Sequence, residues 1–126
     1  MCDQDYDPRY LAYFECLSRR SFFEAHEVLE TVWLPQRQGP NGAFYKGLIQ
    51  LAGAFVHWQK NRAGPAAALF GLAQANLGKY PRTHQGLDVQ AVLALILDWL
   101  RQLHTAAPGP CPPLPADWRK LLPRLE

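Results

Sequence analysis

Apolar residues recur at intervals of three and four along most of this chain, which is the spacing of one face of an α-helix. Asp7 followed by Pro8 is a typical helix start, because the aspartate caps the first turn and proline fits the first helical position. The apolar spacing after this start predicts a first helix over 8–19.

The next two helices follow from capping and turn signals. Ser21 and Glu24 have the spacing of a capping box, so a second helix is predicted to start there and to end before Pro35. Residues 36–42 are rich in turn formers and predict a loop. A third helix over 43–61 has apolar residues around most of its circumference, which places it in the middle of a bundle.

Two more helices complete the predicted bundle. Gly64 and Pro65 start a fourth helix, and Gly78 is its predicted C-cap. Asp88 is the predicted N-cap of a fifth helix over 89–104, which has a broad apolar face. The fold class is therefore predicted to be all-α, a single compact bundle of about five helices.

A change of composition marks the end of this bundle. Five prolines fall between residues 107 and 116, which favours an extended segment without internal hydrogen bonds. We therefore predict a helical bundle domain over 1–106 and a proline-rich tail over 107–126, with a short helical turn near the C-terminus. The tail is expected to fold back across one side of the bundle.

Composition and charge narrow the classes of function. The chain has 126 residues and a net charge of +2, which gives no bulk reason to expect nucleic acid as a partner. No apolar run approaches the ~20 residues of a membrane span, so no membrane association is expected. The 3 cysteines are an odd number at wide spacing and form no zinc or dithiol motif. A cytoplasmic location is predicted.

The second predicted helix carries the most informative polar residues. At 100° per residue, His26 and Glu30 fall on its apolar side, whereas Glu27 falls on the opposite side. Burying a histidine or a carboxylate without a partner costs several kcal/mol, at roughly 2–7 kcal/mol for a neutral group and more for a charge. His26 and Glu30 are therefore expected to meet further polar groups inside the bundle.

The third predicted helix offers those groups on a stripe of small and polar residues. Gln50 and His57 lie on this stripe together with Lys46, two glycines and an alanine. Small residues let a neighbouring helix approach, and this neighbour could be the second helix. The pocket between the two helices would then hold His26, Glu30, Gln50 and His57, a set that suits one metal ion or one small polar ligand.

A purely structural interpretation of the same residues stands beside this one. A buried pair of His26 and Glu30, hydrogen-bonded to Gln50 and His57, would satisfy the core without any ligand. The sequence also lacks the second histidine of the zincin motif H-E-x-x-H, as well as the E-x-x-H pairs of di-iron bundles. These two classes of metalloenzyme are therefore disfavoured.

The chain resembles a known family of small helical proteins, the family called domain of unknown function 309. The resemblance rests on Phe22-Phe23-Glu24-Ala25-His26-Glu27-Val28-Leu29-Glu30 with Trp33, and on Gly47-Leu48-Ile49-Gln50-Leu51-Ala52 with His57. It covers about residues 9–104 and implies an all-α bundle. The family's motif residues fall here on Glu24, His26, Glu27, Glu30, Trp33, Gln50 and His57, but the resemblance names no reaction.

Two hypotheses of function follow. In the first, His26, Glu30 and His57 hold one divalent metal ion, or the pocket holds a small polar ligand with contacts from Gln50, Glu27 and Trp33, and the site could serve hydrolysis. In the second, the protein is a non-enzymatic module for protein–protein interaction or for structure. A homo-oligomer or another protein is the partner that this second hypothesis predicts.

Overall fold

The computed structural model describes residues 6–104, which form five α-helices and one small hairpin. The helices are α1 (Pro8–Ser18), α2 (Phe22–Trp33), α3 (Gly42–Gln59), α4 (Ala63–Leu77) and α5 (Val89–Leu103), and a 3₁₀ turn over Leu34–Gln36 follows α2. The predicted all-α bundle of five helices is confirmed over these residues. The proline-rich tail over 107–126 and its predicted helical turn lie outside the described residues.

Helix α3 is the central element of the bundle, as its apolar circumference predicts. It packs against both α2 and α4, while α1 packs against α2 and α5 against α4. Consecutive helices are therefore neighbours in space, joined by short connections. Within residues 6–104, no helix combines the length and the apolar character that crossing a membrane would require.

Two of the predicted N-caps are confirmed, and Gly78 is the C-cap of α4 as predicted. The side chain of Asp7 accepts a hydrogen bond from the backbone N–H of Arg9 at 2.8 Å, and Pro8 occupies the first turn of α1. The side chain of Asp88 accepts a hydrogen bond from the backbone N–H of Ala91 at 3.0 Å and caps α5. Each carboxylate satisfies an amide that the helix itself leaves without a partner.

The predicted capping box at the start of α2 is wrong. Arg20 has a left-handed backbone with φ of 61°, so α1 ends in a Schellman motif. In this motif the Ser21 N–H donates to the Cys16 carbonyl at 2.9 Å, which removes the amide that Glu24 would have met. The Ser21 side chain makes no capping hydrogen bond, and Glu24 is exposed.

The close neighbour of the small-residue stripe on α3 is α4, whereas the predicted pocket assumed α2. A Cβ atom placed on Gly47 would lie 2.9 Å from Cγ of Leu77 and 3.2 Å from Cβ of Asn76, both on α4. Glycine at this position therefore lets α3 and α4 approach closely. Helix α2 also packs against α3.

A β-hairpin between α4 and α5 was not predicted. Strand β1 (Thr83–His84) pairs antiparallel with strand β2 (Leu87–Asp88), with Thr83 opposite Asp88 and His84 opposite Leu87. The two turn residues, Gln85 and Gly86, both have positive φ, 51° and 74°. Positive φ at both central residues is the geometry of a tight two-residue hairpin turn.

Candidate functional site

A cavity of about 300 Å³ opens along α3, between α2 and α4. Its polar lining comes from one histidine of α2 and from three residues of α3: His26, Lys46, Gln50 and His57. Its apolar lining comes from all three helices: Phe23, Ile49, Gly53, Val56 and Leu69. The volume lies at the lower end of the range of small-molecule sites, about 300–1,000 Å³.

The structure brings together three of the predicted site residues and leaves out the other three. His26, Gln50 and His57 line the same cavity. The remaining candidates on α2 do not line it: Glu27 is exposed, and Glu30 and Trp33 are half-buried. Trp33 instead lies beneath the side chain of Lys46, with Nζ 4.4 Å from the centroid of the indole ring.

The two histidines each keep one ring nitrogen inside the protein. Nδ1 of His26 and Nδ1 of His57 are buried, and neither has a hydrogen-bond partner among the described residues. The ring of Phe23 stacks on the His26 ring with the centroids 6.1 Å apart. Both histidines are half-buried and line the cavity, so the other edge of each ring is the part left to face it.

The hydrogen-bonded core network predicted as the structural interpretation is absent from residues 6–104. No polar or charged residue in this part of the chain is fully buried, and no hydrogen bond joins His26 to Glu30. Gln50 bonds to α4 instead, where its Oε1 accepts from Nδ2 of Asn76 at 2.7 Å. The polar stripe therefore lies at an open cavity and not in the closed core.

The three predicted metal ligands do not assemble into one site. Among residues 6–104, no three His, Cys, Asp or Glu side chains lie close enough together to hold a metal ion. His26 and His57 share the cavity, but Glu30 does not reach it. The fourth polar group of the lining is the ammonium of Lys46, which repels a cation.

Lys46 lies on the predicted polar stripe of α3 but was not among the predicted site residues, and neither were Phe23 and Asn76. Lys46, Gln50 and His57 recur at spacings of four and seven residues, so the helical period could have included the lysine. Asn76 had no such signal, because its contact with Gln50 depends on how α4 packs against α3.

A second polar cluster surrounds the hairpin and holds it against the start of α3. Nε2 of His84 donates to Oδ1 of Asn41 at 2.7 Å, and the His84 ring centroid lies 4.7 Å from those of Phe44 and Tyr80. The hydroxyl of Tyr10 donates to the backbone carbonyl of Gln85 at 2.9 Å. Burial lowers the pKa of His84 because it disfavours the charged imidazolium.

The lowered pKa of His84 predicts a loss of stability in weak acid. Above its ordinary pKa of 6.5, the imidazole is neutral in both the folded and the unfolded chain. Below that pH, His84 takes up a proton more readily in the unfolded chain than in the folded chain. The free energy of unfolding therefore decreases as the pH falls. We expect the wild type to lose more stability than His84→Gln between about pH 7.5 and pH 5, measured by urea denaturation.

The matched control for His84→Gln is His104→Gln, which changes an exposed histidine at the end of α5. The other histidines contribute equally to wild type and variant, so the difference between the two profiles isolates His84. Identical slopes for wild type and His84→Gln would contradict the prediction.

Comparison with known proteins gives one match. Residues 10–69 match the model of the family described as Domain of unknown function (DUF309). No curated protein and no solved structure matches the chain. The matched segment is shorter than the 9–104 expected from the resemblance, but it contains α2 and α3 and with them His26, Gln50 and His57. The predicted resemblance to this family is thus confirmed over residues 10–69.

Proposed function

We propose that this protein binds a small polar molecule in the cavity between α2, α3 and α4. The observation that carries the proposal is the convergence of His26 and His57, from two different helices, on one cavity of about 300 Å³. Pockets that bind small molecules combine a mainly apolar lining with a few convergent polar groups, and this cavity has that composition.

Binding has more support than hydrolysis. A general acid or base must lie within hydrogen-bond reach of the reacting group, and an imidazole base is usually oriented by a third group such as a carboxylate. No carboxylate lines this cavity, since neither Glu27 nor Glu30 reaches it. The same residues weaken the hypothesis of a divalent metal ion, because only His26 and His57 of the three predicted ligands reach the cavity.

A fragment screen by NMR tests the proposal. Neutral, anionic and cationic fragments, and Zn²⁺ alone, are titrated into the ¹⁵N-labelled full chain. We expect chemical-shift changes centred on the cavity that weaken in His26→Gln and in His57→Gln. The control variant His104→Gln, which changes a histidine outside the cavity, should bind as the wild type does. Shift changes confined to other surfaces, or no change with any fragment, would overturn the proposal.

A protein-interaction module is the second candidate, and the side chain of Phe23 favours it. This ring is 61% exposed although it lines the cavity, so it could contact a partner that covers the opening. A homo-oligomer or another protein therefore stays a prediction. Spectra recorded at two protein concentrations test the homo-oligomer: unchanged linewidths and shifts at Phe23 would exclude self-association through this face.

A further inference from the structure

We infer that the ligand of this cavity is an organic carboxylate with an apolar body, an inference that rests on the binding function proposed above. The polar groups of the lining, on His26, Lys46, Gln50 and His57, present hydrogen-bond donors to the cavity, and no acidic side chain lines it. A site made of donors recognises a ligand made of acceptors, and a carboxylate is an acceptor on both oxygens.

The orientation of the Gln50 amide follows from Asn76 on α4 and from Lys79, which lies just after that helix. Lys79 can only donate, and its Nζ lies 3.3 Å from Oδ1 of Asn76. This contact fixes Oδ1 of Asn76 as an acceptor and its Nδ2 as the donor to Oε1 of Gln50 at 2.7 Å. The oxygen of Gln50 is thereby used inside the protein, and the NH₂ group is the part left to serve a ligand.

His26 and His57 also present N–H donors to the cavity, because their other ring nitrogen is buried. A neutral imidazole carries its proton on one ring nitrogen and a lone pair on the other. Nδ1 of His26 and Nδ1 of His57 are buried without a partner, and a buried N–H without an acceptor is rarer than an under-used acceptor. The proton therefore resides on Nε2, the nitrogen on the accessible edge, where it can donate to a ligand oxygen.

Lys46 supplies the positive charge. Its Nζ lies over the ring of Trp33, and within residues 6–104 it forms no ion pair with a carboxylate. A cation–π contact positions the ammonium without neutralising it. Hydrogen bonds from a charged donor to a carboxylate are roughly twice as strong as neutral ones, so Lys46 gives the site its preference for an anion.

The apolar side chains of the lining indicate that the ligand has an apolar body beside its carboxylate. Ile49, Val56 and Leu69 face the same cavity, and a small inorganic anion would leave this surface without a contact. Lys46 and His57 are eleven positions apart on α3, which corresponds to roughly 16 Å of helix at ~1.5 Å per residue. An elongated body that runs from the ammonium along these apolar side chains fits the cavity better than a compact anion.

The test compares each carboxylate with its own primary amide. 3-Phenylpropanoate and 3-phenylpropanamide, and hexanoate and hexanamide, are titrated into the full chain by NMR, with inorganic phosphate as the anion without an apolar body. We expect each carboxylate to bind about tenfold more tightly than its amide, or better, as charge-assisted hydrogen bonds imply. Lys46→Met should abolish this difference, because it keeps the apolar stem and removes the ammonium.

Lys60→Met is the matched control, since Lys60 is exposed at the C-terminal end of the same helix and does not line the cavity. It should retain the full preference for the carboxylate. Equal affinity for acid and amide, or an undiminished preference in Lys46→Met, would overturn the inference while the proposed binding function stands. Phosphate binding as tightly as the organic acids would also overturn it. If neither these compounds nor any fragment of the NMR screen described above binds, the proposed function fails as well.

Discussion

Replacing Phe55 with alanine is expected to lower the free energy of unfolding by about 4 kcal/mol, in the range measured for truncation of buried aromatic residues. Phe55 on α3 is fully buried and contacts rings from three other helices. Its centroid lies 4.8 Å from that of Phe22 on α2, 5.3 Å from Phe70 on α4 and 4.8 Å from Trp99 on α5. Removing the ring leaves a void that these helices share.

Urea denaturation followed by circular dichroism measures this loss. The matched control is Phe23→Ala, the same substitution at a ring that is 61% exposed, which should change stability by no more than about 0.5 kcal/mol. Phe55→Leu fills most of the void and should cost about 1–2 kcal/mol, so the series remains measurable if the alanine variant does not fold. Equal losses at positions 55 and 23 would show that Phe55 is not the centre of the core.

The helices could be predicted because the information for them is local. Apolar spacing within one segment determines which side of a helix is buried, and the caps at Asp7 and Asp88 act on amides two or three residues away. The cap at Ser21 failed because the end of α1 had already used the Ser21 amide. A capping prediction therefore depends on how the preceding helix ends, which the motif at Ser21 and Glu24 does not contain.

The candidate site could be predicted only in part, because helical periodicity gives the face of a residue but not its neighbour. The period placed His26 on one helix, and Gln50 and His57 on another, and these three line the cavity. Glu30 shares the period of His26, yet it lies one turn further along α2 and does not reach the cavity. The pairing of Gln50 with Asn76 depends on tertiary packing and had no local signal.

The hairpin was not predicted because its sequence gives only weak signals. Each strand has only two residues, too few for an alternating pattern to emerge from the sequence. Its turn is Gln85-Gly86, whereas Asn-Gly and Asp-Gly are the usual signals of this turn type. The hairpin is held by contacts from distant residues, such as the hydroxyl of Tyr45, which donates to Oε1 of Gln85 at 3.1 Å.

Gly42 is the glycine whose replacement should cost the most. It is the first residue of α3, and a Cβ atom added there would lie 2.1 Å from the carbonyl oxygen of Arg37 and 2.7 Å from its carbonyl carbon. Both atoms belong to the backbone, so no side-chain rotation relieves the clash, and the turn before α3 must move. We expect Gly42→Ala to lower the free energy of unfolding by about 3 kcal/mol, at the upper end of the cost of overpacking.

Thermal and urea denaturation of Gly42→Ala beside Gly71→Ala check this prediction. Gly71 lies within α4, and a Cβ atom there would meet nothing within 4 Å, so the same substitution should raise stability by about 0.5–1 kcal/mol through helix propensity. The two variants thus share one chemical change but differ in the sign of its effect. Equal stability of Gly42→Ala and Gly71→Ala would contradict the prediction. It would show that the turn before α3 can move without cost, and that the close contact between Gly42 and Arg37 does not hold the start of the helix in place.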